Sequence, residues 1–111
     1  MTRPYRGRFA PSPTGPLHAG SLVAAIASFL DARAHGGQWY LRIDDADRPR
    51  SVPGVSERII AELQRLGLLF DGDVRFQAAR TAVYDESVAQ LRRSGHCFDC
   101  GCTRREVGRG P

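Results

Sequence analysis

The sequence predicts an α/β fold with a parallel, doubly wound sheet. Residues 6–10 form a candidate strand, residues 21–34 a candidate helix, and residues 38–43 a second strand in which Trp39, Leu41 and Ile43 alternate with polar side chains. Two strands joined by a crossover helix are the unit of Rossmann-like nucleotide-binding folds, whose ligands lie at the carboxyl ends of the strands. The apolar helix residues recur at helical spacing: Leu22, Ala25, Ile26, Phe29 and Leu30.

The loop between the first strand and the helix has the composition of a phosphate-binding segment. Three prolines and two glycines restrict some backbone angles and free others, and small residues follow at the helix start. Unpaired N–H groups and the positive dipole end of a helix favour anions there. His18 could add a hydrogen bond that strengthens as charge develops on a phosphorus atom, although a lone histidine at a helix start is more often a surface or capping residue.

The rest of the chain is predicted to be mainly helical. A helix over 54–66 ends at Gly67, 68–77 is irregular or edge structure, and a further helix spans 81–93. The predicted helix gives way to a cysteine-containing segment at Ser94 and Gly95, so we expect one domain over 1–94 and a second segment over 95–111. The inner face of the helix over 54–66 is predicted to comprise Val55, Ile59, Ile60, Leu63 and Leu66.

Composition indicates part of a soluble intracellular enzyme. The chain has 111 residues, of which 41% are hydrophobic, and no apolar run resembles a membrane span or a signal peptide, so we expect a cytoplasmic protein without a membrane partner. The net charge is +4 and all 16 basic residues are arginines. Arginine suits phosphate partners, but a charge of this size is also common in proteins that never bind nucleic acid.

An acidic cluster follows the second strand. Asp44, Asp45 and Asp47 lie at the same predicted rim as residues 8–12. Carboxylates at this place can bind an ammonium group. The alternative is a solvated acidic turn in which Asp47 and Arg48 form surface pairs of little energetic value.

Three cysteines lie close together near the end of the chain. Cys97, Cys100 and Cys102 in a cytosolic protein favour metal binding over a disulfide. Zinc takes four ligands, His96 is adjacent, and no second ligand pair follows. Thr103 and Glu106 have the spacing of a capping box, which predicts a helix directly after the cysteines.

The segment Arg-Phe-Ala-Pro-Ser-Pro-Thr-Gly, followed by Leu-His-x-Gly, resembles the ATP-binding signature of the glutamate-specific branch of class I aminoacyl-tRNA synthetases. The resemblance implies the N-terminal half of that family's Rossmann-like domain, leading into a small zinc-binding insertion. It also implies that His18 is catalytic. The ATP-binding residues would be Pro11, Ser12, Pro13, Thr14, Gly15, Pro16, Leu17, His18, Ala19, Gly20 and Ser21.

The same resemblance implies a glutamate site. In that branch the first acid after the strand holds the substrate's α-amino group and the arginine of the opening motif holds a substrate carboxylate. Those roles fall on Asp44 and Arg8, with Asp44 replacing the usual glutamate. Glutaminyl enzymes carry two aspartates there but open differently, so glutamate is preferred. The implied glutamate-binding residues are Arg8, Phe9, Ala10, Pro11, Ser12 and Asp44.

Short, queuosine-type paralogues in this family bind structural zinc through a Cys-x-Cys pair, which Cys100 and Cys102 match. Cys97 is either a spare thiol or a substitute ligand. The resemblance then implies a monomer that forms glutamyl-adenylate from glutamate and ATP, with magnesium, and transfers glutamate to queuosine of tRNA(Asp). Alternatives are an ordinary synthetase that charges tRNA(Glu) and a non-catalytic zinc or RNA-binding module.

The family also needs a lysine-rich loop that grips the ATP phosphates, and this chain contains no lysine. We therefore expect an N-terminal fragment that is inactive by itself.

Overall fold

Three parallel strands form the sheet around which the first part of the chain folds. The computed structural model describes residues 3–108. The strands are β1 (Arg6–Phe9), β2 (Gln38–Ile43) and β3 (Arg75–Phe76), and they lie in the order β1-β2-β3. The helices are α1 (Ala19–Ala34), α2 (Val55–Arg65), α3 (Thr81–Arg93) and α4 (Arg104–Gly108), with 3₁₀ turns at Arg48–Arg50 and Gln77–Arg80.

The chain divides into two compact units, Met1–Thr81 and Ala82–Pro111. The first unit has the β-α-β order that the sequence predicts. Its second strand and the helix α3 have the predicted bounds, and α1 begins two residues before the predicted position. The segment predicted to be irregular or edge structure contains the short edge strand β3.

The two faces of the sheet differ in polarity. Parallel pairing sets Arg8 beside Tyr40 and Phe9 beside Leu41, and it sets Arg42 beside Arg75. Side chains alternate between faces along a strand, and paired residues of parallel strands share a face. One face therefore presents arginines and the other presents apolar side chains to the helices.

Trp39 lies at the centre of the apolar face. Its side chain is fully buried, its ring is 6.2 Å from that of Phe9 and 5.3 Å from that of Phe29, and its Nε1–H donates to Ser28 Oγ at 3.0 Å. The indole therefore buries a large apolar area while its polar atom keeps a partner. The buried cluster around it comprises Phe9, Ala25, Ala32, Leu41, Ile43, Val55, Ile59, Leu63 and Leu68.

The inner face of α1 is narrower than its apolar spacing suggests. Ala25 and Ala32 are fully buried, whereas Ile26 is 42% and Leu30 59% exposed. Small side chains allow the helix to approach the sheet closely, and an added Cβ at Gly7 would come within 3.3 Å of Ala32 Cβ. The larger aliphatic residues of α1 thus point away from this cluster.

Glycines with positive φ follow both α1 and α2, and the predicted stop at Gly67 is confirmed. After α1, Gly36 has a φ of 60°, and the next residue passes so close to β1 that a Cβ at Gly37 would lie 2.4 Å from Tyr5 O. After α2, Gly67 has a φ of 77° and Leu68 N–H donates to Leu63 O at 2.9 Å. Such left-handed positions favour glycine, which has no Cβ.

The inner face of α2 is largely as predicted. Val55, Ile59 and Leu63 are buried and Ile60 is half-buried. The prediction for Leu66 is wrong, because this residue is 54% exposed. It lies at the C-cap, where the helix turns into the Gly67 stop and its side chain leaves the buried stripe.

Asp71 attaches the chain after α2 to the start of β2. Its carboxylate accepts the Trp39 backbone N–H at 2.8 Å and an Arg33 guanidinium N–H at 2.9 Å, and its own N–H donates to Trp39 O at 2.8 Å. Arg33 also donates to Leu69 O at 2.8 Å. The hydrogen bond from Trp39, followed by that from Arg33, lowers the pKa of Asp71 below its ordinary value.

The second unit contains α4 and all of α3 except its first residue. The predicted capping box is confirmed, since Thr103 N–H donates to Glu106 Oε2 at 2.6 Å and Glu106 N–H donates to Thr103 Oγ1 at 3.3 Å. The bond that the Glu106 carboxylate accepts from the Thr103 backbone N–H, followed by the one that it accepts from the Thr103 hydroxyl at 2.7 Å, lowers the pKa of Glu106. Across residues 3–108, no helix is long and apolar enough to cross a membrane.

We expect Asp71→Asn to lower the free energy of unfolding at neutral pH by about 1 kcal/mol, because the variant loses the ion pair with Arg33 and the partly exposed site limits the loss. Since the folded-state pKa of Asp71 is lowered, its stabilisation is present above the ordinary carboxyl pKa and is lost as pH falls through the folded value. Urea unfolding across acid and neutral pH measures this.

The matched control is Asp73→Asn, which changes an exposed carboxylate two residues away. An Asp71→Asn variant whose stability deficit is equally large at every pH would contradict the electrostatic account.

Candidate functional site

The loop between β1 and α1 lines a wide, open cavity of about 490 Å³. Most residues of the predicted ATP-binding motif line it. Ala19 and Pro13 do not, and Pro13 is fully buried beneath the loop. The lining residues are Phe9, Ala10, Pro11, Ser12, Thr14, Gly15, Pro16, Leu17, His18, Gly20, Ser21 and Ala24.

His18 is the N-cap of α1. Its Nδ1 accepts the Ser21 backbone N–H at 3.2 Å, so the proton of the neutral ring lies on Nε2, which is 3.1 Å from Ser21 Oγ. A Cβ at Gly20 would lie 3.0 Å from His18 Cε1, so the absence of a side chain at Gly20 makes room for the imidazole ring. Both ring nitrogens have Ser21 as a partner, so a ligand that accepts the Nε2–H must displace Ser21 Oγ.

Backbone hydrogen bonds join the loop to the acidic segment after β2. Asp44 N–H donates to Pro11 O and Val52 N–H donates to Pro13 O, each at 2.9 Å. Pro13 is buried at this junction. The structure therefore brings together the two motifs that sequence placed at one rim of the sheet.

The two adjacent aspartates have different partners. Asp44 accepts a two-point contact from Arg42, with Nε to Oδ1 at 2.6 Å and Nη2 to Oδ2 at 3.2 Å. Asp45 Oδ1 accepts the Ala78 N–H at 2.7 Å, which ties the end of β2 to the 3₁₀ turn after β3. Asp45 thus has a structural contact, whereas Asp44 lies with Arg42 on the polar side of the strand.

Sequence reasoning missed Arg42 as the partner of Asp44. The signal was available, because residues two apart on a strand share a face and these two carry opposite charges. Arg8 shares that face through its register partner Tyr40 and is exposed. Neither Arg8 nor Asp44 lines the 490 Å³ cavity, whereas the other implied glutamate-binding residues do: Phe9, Ala10, Pro11 and Ser12.

Asp47 fits the solvated interpretation. Its carboxylate lies 3.4 Å from Arg50 Nε, and the two side chains are 57% and 80% exposed. The partner is Arg50 and not the predicted Arg48, because the 3₁₀ turn at Arg48–Arg50 sets residues three apart on one side. Such an exposed pair contributes little stability.

A second cavity, of about 340 Å³, lies on the other side of the loop. Pro16 and Leu17 line both cavities, and α2 supplies the remaining wall. Arg58, Glu62 and Arg65 provide its charged side chains. His18 does not line this second cavity.

Two of the three cysteines interact in the second unit. Cys102 N–H donates to Cys100 Sγ at 3.4 Å, and this bond together with a hydrogen bond from the Cys102 side chain lowers the pKa of the Cys100 thiol. A thiolate is the form that binds metal. Within residues 3–108, however, no three His, Cys, Asp or Glu side chains are grouped to hold a metal ion. The zinc site expected at Cys100 and Cys102 is therefore not shown by these residues.

The sequence is similar to those of several proteins named glutamyl-Q tRNA(Asp) synthetase. Over 104 residues it is 59% identical to a glutamyl-Q tRNA(Asp) synthetase of Aromatoleum aromaticum, covering 94% of this chain and 33% of that protein. Over 107 residues it is 50% identical to a protein of the same name from Dechloromonas aromatica, covering 96% and 36%. The chain thus spans about a third of the length of these curated relatives.

The fold matches solved structures as well. A crystal structure of glutamate-tRNA synthetase from Elizabethkingia anophelis superposes with a TM-score of 0.79 at 33% identity, covering 96% of this chain and 23% of that one. A glutamate tRNA ligase from Elizabethkingia meningosepticum, in complex with its amino acid, gives the same values. Residues 5–109 match the catalytic domain of the class I tRNA synthetases (E and Q), and the chain belongs to that family.

Proposed function

We propose that the full-length protein activates glutamate with ATP and transfers it to queuosine of tRNA(Asp). The observation that carries this proposal is the intact cavity of the β1–α1 loop, with His18 at the helix start and the acidic segment bonded to the loop backbone. The names of the relatives at 50–59% identity support the acceptor.

The mechanism consists mainly of positioning. The α-carboxylate of glutamate attacks the α-phosphorus of ATP, a P–O bond forms, and the bond to pyrophosphate breaks. His18 Nε2–H and the N–H groups at the start of α1 stabilise the charge on the pentacovalent phosphorus. The family implies that magnesium accompanies ATP.

Arg8 and Asp44 orient the amino acid in this proposal. Arg8 binds a substrate carboxylate, and the Asp44 carboxylate binds the α-ammonium. Their support is that both lie on the polar face of the sheet, and that the Asp44 backbone is bonded to the loop. Phe9, Ala10, Pro11 and Ser12 form the adjoining wall.

Residues 1–94 would belong to the catalytic domain and 95–111 would begin a zinc-binding insertion, of which 109–111 lie outside the described residues. Cys100 and Cys102 would supply two zinc ligands. The hydrogen bonds that favour a Cys100 thiolate support this assignment. Zinc would serve the fold and take no part in the reaction.

An ordinary glutamyl-tRNA synthetase is the second candidate. The observation behind it is that the two superposed crystal structures are named glutamate-tRNA synthetase and glutamate tRNA ligase, at 33% identity against 50–59% for the glutamyl-Q relatives. The two candidates share glutamate activation and differ in the acceptor.

Amino-acid-dependent ATP–pyrophosphate exchange by the full-length protein distinguishes these functions. We expect exchange with glutamate and without tRNA, and none with glutamine or aspartate. Ordinary glutamyl enzymes typically need their tRNA to activate glutamate, so exchange that requires tRNA(Glu) would support the second candidate. Absence of exchange under every condition would reject both.

We expect His18→Ala to slow this exchange by about 100-fold or more, because the variant removes a hydrogen bond that strengthens in the transition state. Loss of the cap also costs about 1 kcal/mol of stability. His18→Asn is the matched control, since asparagine can cap the helix but cannot reproduce the ring Nε2–H. If His18→Ala retains near-normal exchange, His18 has no role in the chemistry.

We expect the full-length protein to contain about one zinc per chain and the Cys100→Ser/Cys102→Ser double variant to contain none, because both thiolate ligands are removed. Elemental analysis after dialysis measures the content. Cys97→Ser is the matched control and should keep its zinc. Zinc loss in that control would make Cys97 a ligand, whereas metal-free wild-type protein would reject the site.

A further inference from the structure

We propose that Arg42 is a positioning residue that holds the Asp44 carboxylate in the orientation needed to bind the substrate's α-ammonium. This inference rests on the proposed role of Asp44. Arg42 touches neither glutamate nor ATP in it and acts only through Asp44.

The contact between the two side chains is a two-point contact. Arg42 Nε lies 2.6 Å from Asp44 Oδ1 and Nη2 lies 3.2 Å from Oδ2. Two parallel hydrogen bonds between a planar guanidinium and a planar carboxylate fix the rotation of the carboxylate, which a single contact does not. Each carboxylate oxygen still has a lone pair for another donor.

The backbone of Asp44 is fixed independently. Its N–H donates to Pro11 O at 2.9 Å, which sets the distance between the acidic segment and the loop that carries the cavity. Because aspartate has a short side chain, the main-chain anchor and the Arg42 contact together leave the carboxylate one position. The side chains of Arg42 and Asp44 are 35% and 23% exposed, so solvent screens the contact only partly.

The neighbouring strand adds a competitor for Asp44. Arg75 is the register partner of Arg42 in β3 and lies on the same face of the sheet. The Arg42 contact keeps the carboxylate directed along β2, and a carboxylate released from it would be attracted to a second guanidinium. Arg42 thus stabilises one orientation of the Asp44 carboxylate over others that Arg75 would favour.

Arg42→Lys tests orientation with the charge retained. Lysine keeps the positive charge beside Asp44 but cannot form the planar two-point contact. In ATP–pyrophosphate exchange by the full-length protein, we expect the KM for glutamate to rise by about tenfold or more, which is the scale of one charge-assisted hydrogen bond, and the KM for ATP to stay unchanged.

The inhibition constant of glutarate distinguishes a specific effect on the ammonium site from a general structural defect of the variant. Glutarate has both carboxylates of glutamate and no ammonium, so its inhibition constant should be the same in Arg42→Lys and wild type. Both constants are independent of the fraction of folded enzyme, so partial unfolding of the variant does not imitate the effect. Arg93→Lys, which alters an exposed ion pair of α3 with Glu86, is the control and should change neither constant.

Asp44→Asn separates this inference from the proposed function. This variant should raise the KM for glutamate and leave the inhibition constant of glutarate unchanged. If it does not, or if the wild type shows no glutamate-dependent exchange, the role of Asp44 fails and the inference fails with it. If Asp44→Asn has that effect but Arg42→Lys leaves the glutamate KM within twofold of wild type, or weakens glutarate equally, only the role of Arg42 is overturned.

Discussion

The burial of Trp39 is the interaction on which the rest of the first unit depends. Its ring fills the space between β1, β2 and α1, where it contacts Phe9 and Phe29, and its indole N–H has Ser28 as a partner. Its backbone meanwhile exchanges two hydrogen bonds with Asp71. One residue thereby determines how closely the crossover helix approaches the sheet and where the chain after α2 returns to it.

This packing determines where the candidate site lies, because it sets the positions at which the strands end. Because β1 and β2 are parallel and in register, both strands end at the same rim, and the loop after β1 meets the acidic segment after β2. Two backbone hydrogen bonds, from Asp44 N–H to Pro11 O and from Val52 N–H to Pro13 O, hold the two segments together. The position of the loop therefore rests on main-chain contacts and on buried Pro13, which leaves the side chains of Ser12, Thr14 and His18 exposed at the cavity.

The two faces of the sheet differ in role. One face packs against the buried cluster, and the other carries the charged side chains of the candidate site. Apolar residues of β2 face the buried cluster, while Tyr40, Arg42 and then Asp44 face the other side with Arg8. Charged groups can be gathered on that second face because none of them has to be buried in the cluster. A two-residue alternation thus provides both a core and a charged surface from six consecutive residues.

Local patterns in the sequence predicted most elements of the first unit, the start of α4 in the second unit and the motif that lines the cavity. Local signals suffice for these features: alternation for β2, glycine stops after α1 and α2, a capping box before α4, and a proline-rich loop at a helix start. The family followed from the order of residues in that loop, and the match over residues 5–109 confirms it.

Long-range contacts select the apolar residues that are buried and the charged residues that pair. Helical spacing could not tell that α1 would use Ala25 and Ala32 and leave Leu30 exposed, because close approach to the sheet selects small side chains. Nor could spacing identify Asp71 as the partner of Arg33 or Ala78 as the partner of Asp45, since those contacts join residues more than 30 positions apart. Contacts of that kind exist only after the strands have paired, so no local pattern contains them.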